Sequence, residues 1–249
     1  MLATIQNQNK FQSFPFASYS NDVFMELNSF EVSAEKIKEY KPLILELGKI
    51  ICSHNLQDIV GISLLHKHFD LHSNELLLKD YINNKSLTQP SLMENDQNAV
   101  PYMWKLHWNS VSGDFSFFPL EFMRPSEKSH IAKIQSDTVL NSNDFLFDFA
   151  NKILDLELTE LFGIATLHDD SMLDVKKNEF LSESTDFENR ILTIQPLSST
   201  DHNMNRSTET LWRFTISEDL KADPKLSCDI LCTGVGIAAA RHCTCGSHV

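Results

Sequence analysis

Apolar and polar positions along the chain change their period several times, and each change marks an element. From Ser33 the string SAEKIKEYKPLILELGKIICSH opens with helix formers over 34–39; Pro42 predicts a break or a new first turn within it. A second helix is predicted for FLFDFANKILDLEL, with Asn143 or Asp144 in front able to cap it. Ile59 to Phe69 and Leu161 to His168 are apolar, partly alternating and bounded by acidic residues, so both predict strands. Leu76 to Tyr81, Met103 to Trp108, Phe115 to Phe122 and Ser227 to Thr233 predict further strands, with Ser112-Gly113-Asp114 as a turn. The stretches 83–100 and 182–208, rich in Asn, Ser, Asp and Thr, predict long surface loops.

The same pattern occurs twice. Residues 43–66 lie over 145–168 without a gap, with identities at Ile51/Ile153, Leu56/Leu158, Gly61/Gly163, Ile62/Ile164, Leu65/Leu167 and His66/His168. Further on, Asn74 to Leu77 answers Asn178 to Leu181, and Trp104-Lys105-Leu106 answers Trp212-Arg213-Phe214. A spacing this long does not suit a solenoid. The expectation is an α+β protein made of two duplicated units, each a helix with antiparallel strands, related by a pseudo-twofold axis. The first unit would span 1–130 and the second 131–249, packed into one globule.

Composition narrows the partners. With 42% apolar residues and 17 Phe in 249, the chain can bury a core. A formal charge of -13 argues against a polyanion as the main partner, so nucleic acid and anionic membrane are not expected. The first ten residues, MLATIQNQNK, lack the basic start and apolar run of a secretory signal, and no later run has the length of a membrane helix. A cytoplasmic protein with reduced thiols is the expectation.

Two groups of residues carry candidate chemistry. In His66-Lys67-His68-Phe69-Asp70-Leu71-His72, strand alternation puts His66, His68 and Asp70 on one face, and imidazoles two apart can present nitrogens to one ion. Under the repeat, His168 and Asp170 stand where His66 and His68 do, so a twofold could assemble three imidazoles and a carboxylate for Zn or Fe(II). The second group is the tail Cys228-x3-Cys232-x10-Cys243-x-Cys245-x2-His248, a thiolate-rich set suited to structural zinc or Cu(I), though its spacing matches no standard finger. The bland alternatives are hydrogen-bonded histidines at a strand end, buried thiols at Cys228 and Cys232, and a loose terminus. Gly234-Val235-Gly236-Ile237-Ala238-Ala239 spells a dinucleotide fingerprint in outline but leaves only ten residues where a βαβ unit should continue, so it is set aside. Glu121, Glu160, Asp169 and Asp170 offer acid–base groups without a pairing geometry.

The string GISLLHKHFDLHSNELLL, Gly61 to Leu78, followed by a polar loop and a strand holding Trp104 and Lys105, resembles a motif of uncharacterised proteins of filamentous fungi. That resemblance implies a cytoplasmic protein and brings no activity. The functional expectation is a transition-metal protein, zinc first, with a site at the repeat interface that could serve a metal-dependent enzyme. Two other classes stay open: an interaction module that docks a protein through its acidic surface, and a metal-free enzyme with a pocket for a small molecule between the repeats.

Overall fold

Ser20 and Ser29 each turn a side-chain oxygen back to the amide three residues on, and these caps start α1 (Asn21–Met25) and α2 (Phe30–Tyr40). Pro42 sits in a 3-10 turn, Lys41–Leu43, which leads into α3 (Ile44–Ser53), the break its missing N–H demands. Three more helices follow at α4 (His130–Leu140), α5 (Asn143–Asp155) and α6 (Asp169–Met172). The computed structural model of the chain describes residues 16–232 apart from 97, 110, 127–129, 199–206 and 217–223, and describes Asp170 by its backbone alone.

Ten strands dominate: β1 (Val60–Leu64), β2 (Glu75–Ile82), β3 (Lys85–Leu92), β4 (Val100–Asn109), β5 (Asp114–Met123), β6 (Phe162–Thr166), β7 (Glu179–Asp186), β8 (Ile191–Ser198), β9 (Thr208–Thr215) and β10 (Lys225–Cys232). They close into one barrel in the order β1-β6-β4-β5-β2-β3-β8-β7-β10-β9, with β9 returning to β1. The β2/β5 and β7/β10 pairings are parallel and the others antiparallel.

This ring overturns the expected α+β class and the internal duplication into two helix-plus-antiparallel-sheet units. Strands from before and after residue 130 share one mixed barrel, with β1 set between β6 and β9 and β6 between β1 and β4, so neither stretch closes a sheet of its own. The physical reason is edge closure: an open sheet leaves a row of unpaired backbone groups on each side, and ten strands in a ring leave none. The expected surface loops are also corrected, because β3, β8 and most of β7 lie within 83–100 and 182–208. Those strands look loop-like in sequence because polar residues such as Ser86, Thr88, Ser182 and Thr185 are buried in them.

The largest core lies between the barrel and its helices. Ile62, Ile164, Trp104 and Trp212 meet Ile44, Leu47, Ile51, Phe145, Phe149 and Ile153 from α3 and α5. Truncating a ring such as Phe149, fully buried there, would cost about 3–5 kcal/mol. At Gly61 on β1 a Cβ would stand 2.6 Å from the Trp212 carbonyl oxygen and 2.8 Å from Leu167, so the close approach of β1 to its neighbours needs glycine. Among the described residues no helix is long and apolar enough to cross a membrane.

Candidate metal centre

Beyond Leu64 the chain runs through His66 to an isolated parallel bridge between Lys67 and Ser29 and bends at His68. The Lys67 amide donates to the Asn28 carbonyl (2.9 Å) and the Lys67 carbonyl accepts from the Phe30 amide (3.2 Å), tying this stretch to the start of α2. The rings of His66 and His68 come together on one side of this stretch. His66 Nδ1 lies 2.8 Å from the Leu64 carbonyl oxygen. A carbonyl only accepts, so the neutral ring carries its proton on Nδ1 and keeps the Nε2 lone pair open. His68 Nδ1 lies 2.9 Å from Thr185 Oγ1, and the two Nε2 atoms are 3.0 Å apart.

Two more donors come from across the barrel. The parallel register of β10 on β7 sets Cys232 beside Glu183. Glu183 Oε1 is 3.0 Å from His68 Nε2 and 3.7 Å from His66 Nε2, while Cys232 Sγ is 3.7 Å from His68 Nε2. The four donor atoms all lie within 4.8 Å of one another. Tetrahedral zinc with bonds of about 2.0–2.1 Å to nitrogen or oxygen and about 2.3 Å to sulfur places its ligand atoms about 3.3–3.6 Å apart, the spacing around which these distances scatter. Phe30 covers the pair, stacked on His68 (centroids 5.4 Å apart) and edge-on to His66 (5.3 Å).

Charge in this cluster is finely divided. Burial raises the Glu183 carboxyl, but hydrogen bonds and charge from His66 and His68 outweigh it and hold the group well below the usual carboxylate range. Burial likewise lowers His66, yet Glu183 more than compensates and lifts it above an ordinary imidazole. His68 falls below, through burial and the proximity of His66. One anion thus faces two imidazoles that resist sharing two protons, an arrangement a cation can replace.

A second polar cluster occupies the same interior. Lys79 Nζ lies 2.9 Å from Asp169 Oδ2 and 4.4 Å over the Tyr102 ring. Tyr81 donates to Asp169, and Tyr102 donates to Glu121. Burial raises Glu121 above the usual carboxylate range. Burial would raise Asp169 too, but the Lys79 ammonium outweighs it and holds Asp169 low. His168 is fully buried, with Nδ1 2.6 Å from Thr166 Oγ1 and no hydrogen-bond partner for Nε2 among the described residues. Burial depresses it to about 4, against the pull of the Asp169 carboxylate and with a smaller contribution from Lys79.

Arg190 fastens the histidine segment from outside. Its guanidinium bonds both Glu75 carboxylate oxygens (3.2 and 2.6 Å) and the Asp70 carbonyl (2.6 Å), over the Phe69 ring. Glu75 also accepts from the His72 amide (2.8 Å). The β7–β8 hairpin that carries Glu183 is thereby tied to the chain that carries His68.

The structure draws together His66, His68 and Cys232, one group from the strand and one residue from the tail, which no local spacing joins. His168 stands apart at the start of α6, with Thr166, Tyr102 and Tyr81 as its neighbours, so the expected assembly of three imidazoles does not form. Asp170 is in α6, its side chain outside the described residues. Cys228 is on β10, its thiol directed to the Ile230 carbonyl (3.3 Å). Cys243, Cys245 and His248, like the glycine fingerprint at 234–239, lie outside the described residues. Glu183 escaped sequence reasoning; the available signal was the alternation Leu181, Glu183, Thr185 following the strand-like Glu179-Phe180. No protein-family model matches the chain, and comparisons with curated proteins and with solved structures find no match.

Proposed function

We propose that this barrel is a transition-metal protein that holds one zinc ion between His66, His68, Glu183 and Cys232. The observation that carries the reading is the state of the two rings: each Nδ1 is engaged by an oxygen, Leu64 carbonyl or Thr185 hydroxyl, so both Nε2 atoms face a carboxylate and a thiol. Metal-bound imidazoles are oriented by such outer partners. Two nitrogens, one oxygen and one sulfur suit zinc, and the Glu183 and Cys232 anions balance its charge.

His66, His68 and Glu183 border an internal cavity, which supports an enzymatic use of the centre. Zinc held by all four donors would have no open position, so it would supply a Lewis acid at that wall only by accepting a fifth ligand from the cavity. A cysteine nucleophile with His68 as its base fits less well. A hydroxyl, not a carboxylate, holds His68 Nδ1, and Glu183 sits on the Nε2 that would take the thiol proton.

The test is metal analysis of untagged protein. One zinc per chain, lost in His66→Ala/His68→Ala while the unfolding transition persists, supports the assignment. Folded protein that binds no zinc at neutral pH refutes it, and zinc retained by the double variant moves the ion elsewhere.

A further inference from the structure

We infer that the barrel interior is a binding site for a small neutral molecule with one carbonyl or amide oxygen, held against the metal centre. The inference rests on the zinc reading, since His66, His68 and Glu183 form one wall of the site. The cavity measures about 40 Å³. At about 10–15 Å³ for each water-sized group, that is room for roughly three waters or a molecule of about four non-hydrogen atoms.

The charges on its wall decide the ligand class. Lys79 is paired with Asp169 and Lys67 with Asp70, both at 2.9 Å. Glu183 is held by the histidines, and Glu121 by the Tyr102 hydroxyl. A charged guest would have to break one of these pairs or remain unpaired among largely buried side chains, and either is costly. A neutral guest disturbs none of them. The lining also holds apolar side chains, Phe24 and Leu77 from one cluster and Leu211 and Ile230 from another, which suit a methyl or methylene end.

One wall group is poorly used. Ser63 on β1 is buried, and its hydroxyl makes its one hydrogen bond, among the described residues, to the Met103 thioether at 3.7 Å. Thioether sulfur is a weak acceptor. A carbonyl or amide oxygen in the cavity is a better one, and Ser63 is the residue that would fix its orientation.

Acetamide and acetate, alike in shape and unlike in charge, separate the possibilities. Zinc-loaded protein titrated with acetamide should show saturable shifts of the Ser63, Ala165 and Thr210 amide resonances, with Kd of about 1–10 mM for so small a ligand. Acetate should bind at least about tenfold more weakly, and Ser63→Ala should weaken acetamide about tenfold with zinc content unchanged. Ala165→Leu, which fills the cavity, should abolish binding and provides a second variant should Ser63→Ala fail to fold. Acetate binding as tightly as acetamide, or silent wall amides at about 100 mM acetamide in zinc-loaded protein, overturns the inference. If the chain carries no zinc, the metal assignment has failed by itself. The same titration of the zinc-free chain then decides the ligand, saturable wall shifts supporting the pocket and silence overturning it.

Discussion

His66 and His168 leave the ends of β1 and β6 in the same manner, each with Nδ1 held by the residue two places before it, and they meet opposite chemistry. At the first end, β7 and β10 deliver Glu183 and Cys232 to an open lone pair. At the second, Lys79 from β2 is paired with Asp169, no described residue bonds the His168 Nε2, and burial keeps that imidazole neutral. A histidine at a strand end thus has no role of its own. The strands across the barrel assign it, by bringing a carboxylate and a thiol to the second ring nitrogen or, among the described residues, leaving that nitrogen buried without a partner.

Removing the cation should disturb the second end most. Lys79→Met leaves the Asp169 carboxylate buried without its counter-charge, and should cost about 3–5 kcal/mol in urea unfolding while zinc content stays the same. Loss of zinc in this variant would show that the two ends are not independent.

The next effect is one of pH. A buried imidazole at about 4, against an ordinary 6.5, stays neutral while the unfolded chain takes up a proton. Its contribution is present above pH 6.5 and is lost as pH falls towards 4, by about 3 kcal/mol in all. Metal-free protein should show that slope in unfolding free energy, and His168→Gln should flatten it; an unchanged slope would place the titration elsewhere.

At the first end the outer oxygens can be tested without touching a donor. Thr185→Val removes the hydroxyl on His68 Nδ1 and should weaken zinc about 10–100-fold in a chelator competition. Smaller still, Arg190→Lys loses the fork on Glu75, costs about 1 kcal/mol of stability, and should weaken zinc less than Thr185→Val does. The reverse order would make the outer clamp, rather than the ring hydrogen bond, the determinant of the site.

Much of the local structure was legible in the chain. Pro42 marked the entry to α3, Ser112-Gly113-Asp114 marked the β4–β5 turn, and the alternation at His66-Lys67-His68 put two imidazoles on one side. Ring closure was not legible, because pairings such as Ile62 with Trp212 or Leu87 with Thr193 join residues more than a hundred positions apart. Strands with buried polar residues hid for a related reason. Glu183 and Thr185 read as solvent-facing, yet both turn inward to His68, where the interior of this barrel is itself polar. The partner of His68 therefore sat in what looked like a loop.

X-ray absorption at the zinc edge of loaded protein tests the centre most directly. Two imidazole nitrogens and one carboxylate oxygen at about 2.0–2.2 Å, with a single sulfur at about 2.3 Å, are expected, the sulfur vanishing in Cys232→Ser. A shell with no sulfur, or with two or more, would contradict the centre drawn from His66, His68, Glu183 and Cys232.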